Sequence, residues 1–133
     1  MKTSPKNITE LKKNEVFVFG SNLRGRHGAG AAKQALKWGA IEGKDEGHYG
    51  KTYALPTKNE FIETMPLNYI EWHVGEFIDH AAVNSEWIFL VTEIGCGLAG
   101  YTPKDIAPLF EEALDVENIH LPESFIDILI KKQ

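Results

Sequence analysis

The stretch Trp87 to Pro103, "WIFLVTEIGCGLAGYTP", holds one complete handover from strand to helix. Trp87 to Thr92 is a near-continuous apolar run, as expected of a central strand covered on both faces. A helix is signalled by Thr102 at the N-cap, Pro103 in the first turn and Asp105 three residues on, a variant of the capping box. Its apolar stripe is Ile106, Leu109, Phe110, Ala113 and Leu114. Between strand and helix lie Gly95, Cys96, Gly97, Ala99 and Gly100. Residues this small leave successive backbone N–H groups uncovered, and such a row forms a nest for an anion. Charge-assisted hydrogen bonds contribute roughly 1.5–3 kcal/mol each, so two or three of them can hold a diphosphate without a metal.

The same order of strand, glycine loop and helix occurs earlier. Glu15 to Phe19, "EVFVF", reads as a short buried strand ending at Gly20. Ala29 to Trp38 is rich in helix formers and is stopped by Gly39. Between them runs "GSNLRGRHGAG", Gly20 to Gly30. Here Gly25, Gly28 and Gly30 permit close backbone approach, and the start of the following helix aims unpaired N–H groups forward. The loop lacks the Gly-Lys-Ser/Thr ending of a P-loop, and Lys33 replaces the third glycine of a dinucleotide fingerprint. A phosphate site and a plain tight turn are both compatible with it.

Residues 40–50 read as a loop, Lys51 to Leu55 as a strand ended by Pro56, and Pro66 to about Val83 as a helix. In that helix Ile70, Val74, Phe77, Ile78 and Ala81 fall on one face. Asn118 to Leu121 makes a last strand and Pro122 to Lys132 a last helix whose basic end suits its dipole. Strands alternating with helices predict a three-layer α/β/α fold with a mostly parallel central sheet. Ligands of such sheets sit beyond the carboxyl ends of the strands, where both glycine loops belong.

A chain of 133 residues, 43% hydrophobic and 25% charged, is expected to form one globular domain spanning 1–133. The net charge of −5 argues against an extended nucleic-acid surface, yet Arg24, Arg26, His27 and Lys33 lie close enough in sequence for a local anion pocket. Cys96 is the single cysteine, which excludes an intramolecular disulfide and multi-thiolate zinc sites. No apolar leader and no membrane-length apolar run is present. A cytoplasmic protein without membrane contact is the expectation.

With both loops in view, the chain resembles the macro domain, a family that binds ADP-ribose. "NITELKKNEVFVFGSN" (Asn7 to Asn22) is similar to the macro opening, "GRHGAGAA" to the loop on the proximal ribose and diphosphate, and "IGCGLAGY" to the loop that wraps the diphosphate from the other side. Within the family, Ile94 to Leu98 and the pair Thr57-Lys58 most resemble the terminal ADP-ribose glycohydrolases. The resemblance implies a macro-type fold and ADP-ribose as ligand or substrate, with no metal or cofactor. It places Asn7 at the base and Asn22 at the terminal ribose, with Ile8 also among the ligand-binding residues. His27, Gly28, Ala29, Gly30 and Thr57, with Gly95, Cys96, Gly97, Leu98, Ala99, Gly100 and Tyr101, complete the expected ligand-binding set.

Two departures bear on chemistry. Asn7 stands where the family commonly has an Asp for the adenine amino group, so the bond there loses its charge assistance. Lys58 stands where the glycohydrolases have a lysine that attacks the anomeric carbon, but the assisting acid's place is Ala99. Glu60, Glu63 and His27 are the candidate substitutes for that acid. An enzyme removing ADP-ribose from a modified protein or nucleic acid, a non-catalytic reader, and an interaction protein that has lost the ligand all remain open. Cys96 reads as a loop filler ahead of a nucleophile. His73 and His80, seven apart, read as a solvated helix face, and Trp38, Trp72 and Trp87 as core anchors. For Tyr101 contact with the ribose is preferred to packing, while Phe61 is either a ligand cover or a hydrophobic plug.

Overall fold

Apolar side chains alternate along each central strand, and that period-2 pattern sends one set to each face of the sheet. The structure, a computed structural model, describes residues 3–131. Its strands are β1 (Thr3–Ser4), β2 (Glu15–Asn22), β3 (Gly47–Tyr49), β4 (Thr52–Lys58), β5 (Ile88–Val91) and β6 (Ile119–Pro122). They form one six-stranded sheet in the order β1-β6-β5-β2-β4-β3, in which only β3 runs antiparallel. The helices are α1 (Gly30–Ala35), α2 (Leu67–Val83), α3 (Pro103–Ile106) and α4 (Glu123–Lys131), with 3₁₀ segments at Leu36–Trp38 and Ala107–Asp115.

Val16 and Val18 of β2, Tyr53 and Leu55 of β4, and Phe89 and Val91 of β5 pack with α2, α3, the long 3₁₀ segment and α4. Phe17, Phe19, Ala54 and Leu90, the intervening residues, pack instead with Ile8, Ala32 and Ala35. Each buried Leu, Ile or Phe contributes about 1.5–3 kcal/mol. Two cores on opposite faces make the architecture α/β, with an arrangement compatible with three α/β/α layers. The five residues expected on the buried stripe of α2 are all buried.

Chain direction explains the layering. From β2 through α1 the chain moves outward to β4. From β4 through α2 it returns to the opposite flank of β2 and becomes β5. Right-handed crossovers in opposite directions put their helices on opposite faces. The point of reversal lies between β2 and β5, where open α/β sheets present a crevice.

Several boundaries differ from the sequence reading. β4 runs through Pro56 to Lys58, because β3 pairs only as far as Ala54. Pro56 therefore lies on an open stretch of edge, where a missing N–H loses no ladder bond. β1 and β3, two and three residues long, were not foreseen. The helix after Thr102 keeps its capping box, Thr102 N–H reaching the Asp105 carboxylate at 3.0 Å. It is α-helical only to Ile106, because Pro108 has no N–H for the Lys104 carbonyl and the chain tightens into 3₁₀. Lys132, expected to end the last helix, lies outside the described residues.

Candidate functional site

A cleft of about 600 Å³ opens at the carboxyl edge of the sheet, between the loops that follow β2 and β5. That volume falls in the range of small-molecule sites, roughly 300–1,000 Å³. Arg24, Arg26 and Lys58 line it against a single carboxylate, Glu93. The local charge is thus positive in a chain of net charge −5.

The first loop is shaped by its own side chains. Asn22 Oδ1 accepts the Arg26 N–H at 3.0 Å while Nδ2 donates to the Arg26 carbonyl at 2.9 Å. Asn22 lines the cleft, yet its amide is engaged as a clamp on the loop. From behind, residues 42–45 brace the turn: Gly43 N–H to the Gly25 carbonyl at 2.7 Å, Ser21 hydroxyl to the Asp45 carbonyl at 2.6 Å, and His27 N–H to the Glu42 carboxylate at 3.1 Å. Gly25 is obligatory there, since its φ is +75° and a Cβ would sit 2.5 Å from the Gly43 carbonyl carbon.

His27 does not enter the cleft. Its ring is 2% exposed and lies against Phe19, with Nδ1 2.9 Å from the Gly25 carbonyl oxygen. Beyond it Gly28, Ala29 and Gly30 are exposed and line the cleft. The N–H groups from Gly28 to Ala32 have no hydrogen-bond partner among the described residues.

The second loop is a pair of turns. Cys96 N–H bonds the Glu93 carbonyl at 3.1 Å and Gly100 N–H the Gly97 carbonyl at 3.0 Å; Tyr101 N–H closes back to Gly95 at 2.9 Å. Gly95 needs its φ of +78°, and a Cβ there would meet Ile106 Cδ1 at 2.8 Å. These bonds use the amides of Cys96 and Gly100 internally but leave those of Gly97, Leu98 and Ala99 without partners among the described residues. Gly95, Gly97, Leu98 and Ala99 line the cleft, whereas Cys96, Gly100 and Tyr101 do not. Tyr101 turns inward, its hydroxyl donating to the Met65 carbonyl at 2.8 Å, so it packs rather than presenting its ring to the cleft. Cys96 is half-buried, and burial, with help from Glu93 and Asp105, pushes its thiol up to about 12. A protonated thiol is a poor nucleophile.

Thr57 and Lys58 bring the end of β4 to the same cleft, Thr57 hydroxyl donating to the Ser21 carbonyl at 3.3 Å. Lys58 has no carboxylate within 4 Å among the described residues. Ala99 carries no acid, and its carbonyl is taken up by the Thr64 hydroxyl at 2.7 Å. Glu60 and Glu63 stand outside the lining. Glu93 stands within it, with Oε2 accepting the Ser124 hydroxyl at 2.6 Å. The sequence reading missed Glu93, although its place just past a strand on the ligand edge was the available signal.

Asn7 and Ile8 border a separate hollow with Leu11, Glu15 and Leu90 rather than the cleft between the β2 and β5 loops. Ile8 is buried and its carbonyl accepts the Gln34 side chain of α1. Two further expectations are corrected. His73 and His80 are not a solvated face: His73 Nδ1 lies 2.7 Å from Glu46 Oε2, and His80 Nε2 lies 2.9 Å from His48 Nδ1. The antiparallel edge strand β3, unseen in sequence, puts Glu46 and His48 opposite them. Trp72 is 62% exposed and is no core anchor, because the buried stripe of α2 runs along another face.

No group of three or more potential metal ligands occurs among the described residues. No described helix is long and apolar enough to cross a membrane. Set against models of known protein families and against curated proteins, the chain matches none.

Proposed function

We propose that this protein is a macro-type domain that binds ADP-ribose in the cleft between the β2 and β5 loops. The observation that carries the reading is the facing rows of unpartnered amides, Gly28 to Ala32 on one side and Gly97 to Ala99 on the other. A diphosphate is the ligand that uses two such rows at once, its oxygens accepting from both. Arg24 and Arg26 at the rim add attraction without forming the grip. The absence of either standard nucleotide motif fits a site built from main chain instead of a lysine clamp.

Hydrolysis of ADP-ribose from a modified protein or nucleic acid is the favoured version, because Lys58 lines the same cleft without an acidic partner. In it the lysine amine attacks the anomeric carbon of the terminal ribose, the bond to the acceptor oxygen breaks, and the acceptor leaves with the electron pair. Water then frees the sugar from the lysine. The departing acceptor oxygen must take up a proton, and with Ala99 in the acid's place no carboxyl group there supplies it, so the step is slow. The alternative is a reader that holds ADP-ribose without cleaving it.

Titration calorimetry with ADP-ribose tests the reading. Saturable heat and a raised melting temperature are expected, while neither effect at millimolar ligand sinks it. Turnover of ester-linked ADP-ribose then divides enzyme from reader, and equal rates for wild type and Lys58→Ala remove the lysine from catalysis.

A further inference from the structure

Among the described residues other than glycine, Ile62 alone has a positive φ, at 62°. This is left-handed backbone, where a β-branched residue is a genuine outlier. Such strain persists only when its surroundings over-determine it, and it clusters at ligand clamps.

Asn59 supplies the constraint. Its Oδ1 accepts the N–H groups of Phe61 at 2.9 Å and Glu63 at 3.0 Å, and its Nδ2 donates to the Glu63 carboxylate at 3.1 Å. The main chain repeats the pattern, Asn59 N–H to the Glu63 carbonyl at 2.8 Å and Ile62 N–H to the Asn59 carbonyl at 3.0 Å. A bridge between Lys58 and Thr64 closes the base, and the Thr64 hydroxyl fastens it to the Ala99 carbonyl. The result is a braced tip beginning directly after Lys58. Ile62 lines the cleft, while its neighbour Phe61, 71% exposed, stands just outside the lining. Neither belongs to a core cluster, so burial within the fold does not offset the strain.

We propose that Ile62 and Phe61 form a specificity wall on the Lys58 side of the cleft, and that Asn59 is the positioning residue that holds it. The wall receives the apolar face of the sugar that continues past the diphosphate. It therefore selects a nucleoside diphosphate carrying a second sugar over one that ends at its phosphates. The inference rests on the ADP-ribose reading, and it adds a preference that the amide rows cannot supply, since both ligands present the same diphosphate.

Affinities for ADP-ribose and ADP, with melting temperatures, are to be measured for wild type, Ile62→Gly, Phe61→Ala and Asn59→Ala. Glycine accepts a φ near +60° without strain, so Ile62→Gly is expected to melt no lower than wild type. The same variant should bind ADP-ribose about tenfold more weakly with ADP unchanged. Phe61→Ala and Asn59→Ala are expected to narrow the ADP-ribose to ADP ratio in the same direction. An unchanged ratio in Ile62→Gly and Phe61→Ala overturns the wall, as does a parallel loss of both ligands together with stability. Failure of wild type to bind either ligand overturns the ADP-ribose reading, and the wall with it.

Discussion

Gly28 and Gly97 are glycines that the fold itself does not require. Neither has a positive φ, and a Cβ on either would meet nothing within 4 Å. Gly25 and Gly95 are different, being held by backbone conformation and by close neighbours. In sequence the four look alike, so the loops were legible as small-residue turns but not which glycines serve the fold and which leave room. The distinction is testable. Gly28→Ala and Gly97→Ala should keep their stability within about 0.5 kcal/mol of wild type, as surface substitutions do, while ADP-ribose affinity drops several-fold in calorimetry. A second residue-scale prediction concerns Cys96. With its thiol pushed up to about 12, only about one in 100,000 is ionised at pH 7. A disulfide-exchange reagent should modify the native protein at least about 100-fold more slowly than the denatured chain, and Cys96→Ala should retain binding.

Among the elements, the long stripe of α2 is legible in the sequence, whereas the helix expected through Leu114 gives way to 3₁₀ after Ile106 and short strands depend on distant partners. The stripe of α2 is written in five apolar residues at helical spacing. No local signal could indicate β3, because its strand character comes from pairing with β4 across a turn. Pro56 is a stop by local preference, yet the open edge beside it lets β4 continue to Lys58. Asn118 is a further case of tertiary use: its Nδ2 faces the carbonyls of Ala81 at 2.9 Å, Trp87 at 3.0 Å and Asn84 at 3.2 Å, joining the end of α2 to the start of β5. Removing that donor takes away the partner of the Trp87 carbonyl, while the Ala81 and Asn84 carbonyls keep the N–H groups of Asn84 and Trp87. Asn118→Ala is predicted to cost about 1–3 kcal/mol in urea unfolding. Gly25→Ala should cost a similar amount, about 1–3 kcal/mol, by driving the 42–45 brace off the cleft loop, and should weaken ligand binding as well.

For the whole molecule, the sheet reverses its strand order between β2 and β5, and the cleft lies at that reversal. Folding also couples to pH through a half-buried histidine pair. His48 Nε2 faces the Gly50 carbonyl at 3.1 Å and its Nδ1 faces His80 Nε2 at 2.9 Å, so the two rings share one proton between them. Burial lowers both below the ordinary imidazole value of about 6.5, His80 further by its neighbour His48; Glu86 opposes in each case and the Gly50 carbonyl also opposes for His48. The unfolded chain therefore binds more protons from about pH 6.5 downward, and stability rises with pH across that window. The contribution is complete above about pH 6.5 and is lost as pH falls through the lower folded-state values. Melting temperature should drop between pH 7.5 and pH 5.5, and the drop should be smaller in His80→Gln. An equal drop in that variant would assign the acid sensitivity elsewhere.

The amino-acid sequence by itself determined the alternation of strands and helices, the faces of the central elements and the two small-residue loops, since each is fixed by side-chain periodicity or by local backbone preference. Only the tertiary structure decided that His27 and Tyr101 turn inward, that Glu93 joins the cleft, and that the amides of Gly97 to Ala99 stay bare while those of Cys96 and Gly100 do not. Those outcomes depend on which groups far apart in the chain satisfy one another's hydrogen bonds, and no local pattern carries that information.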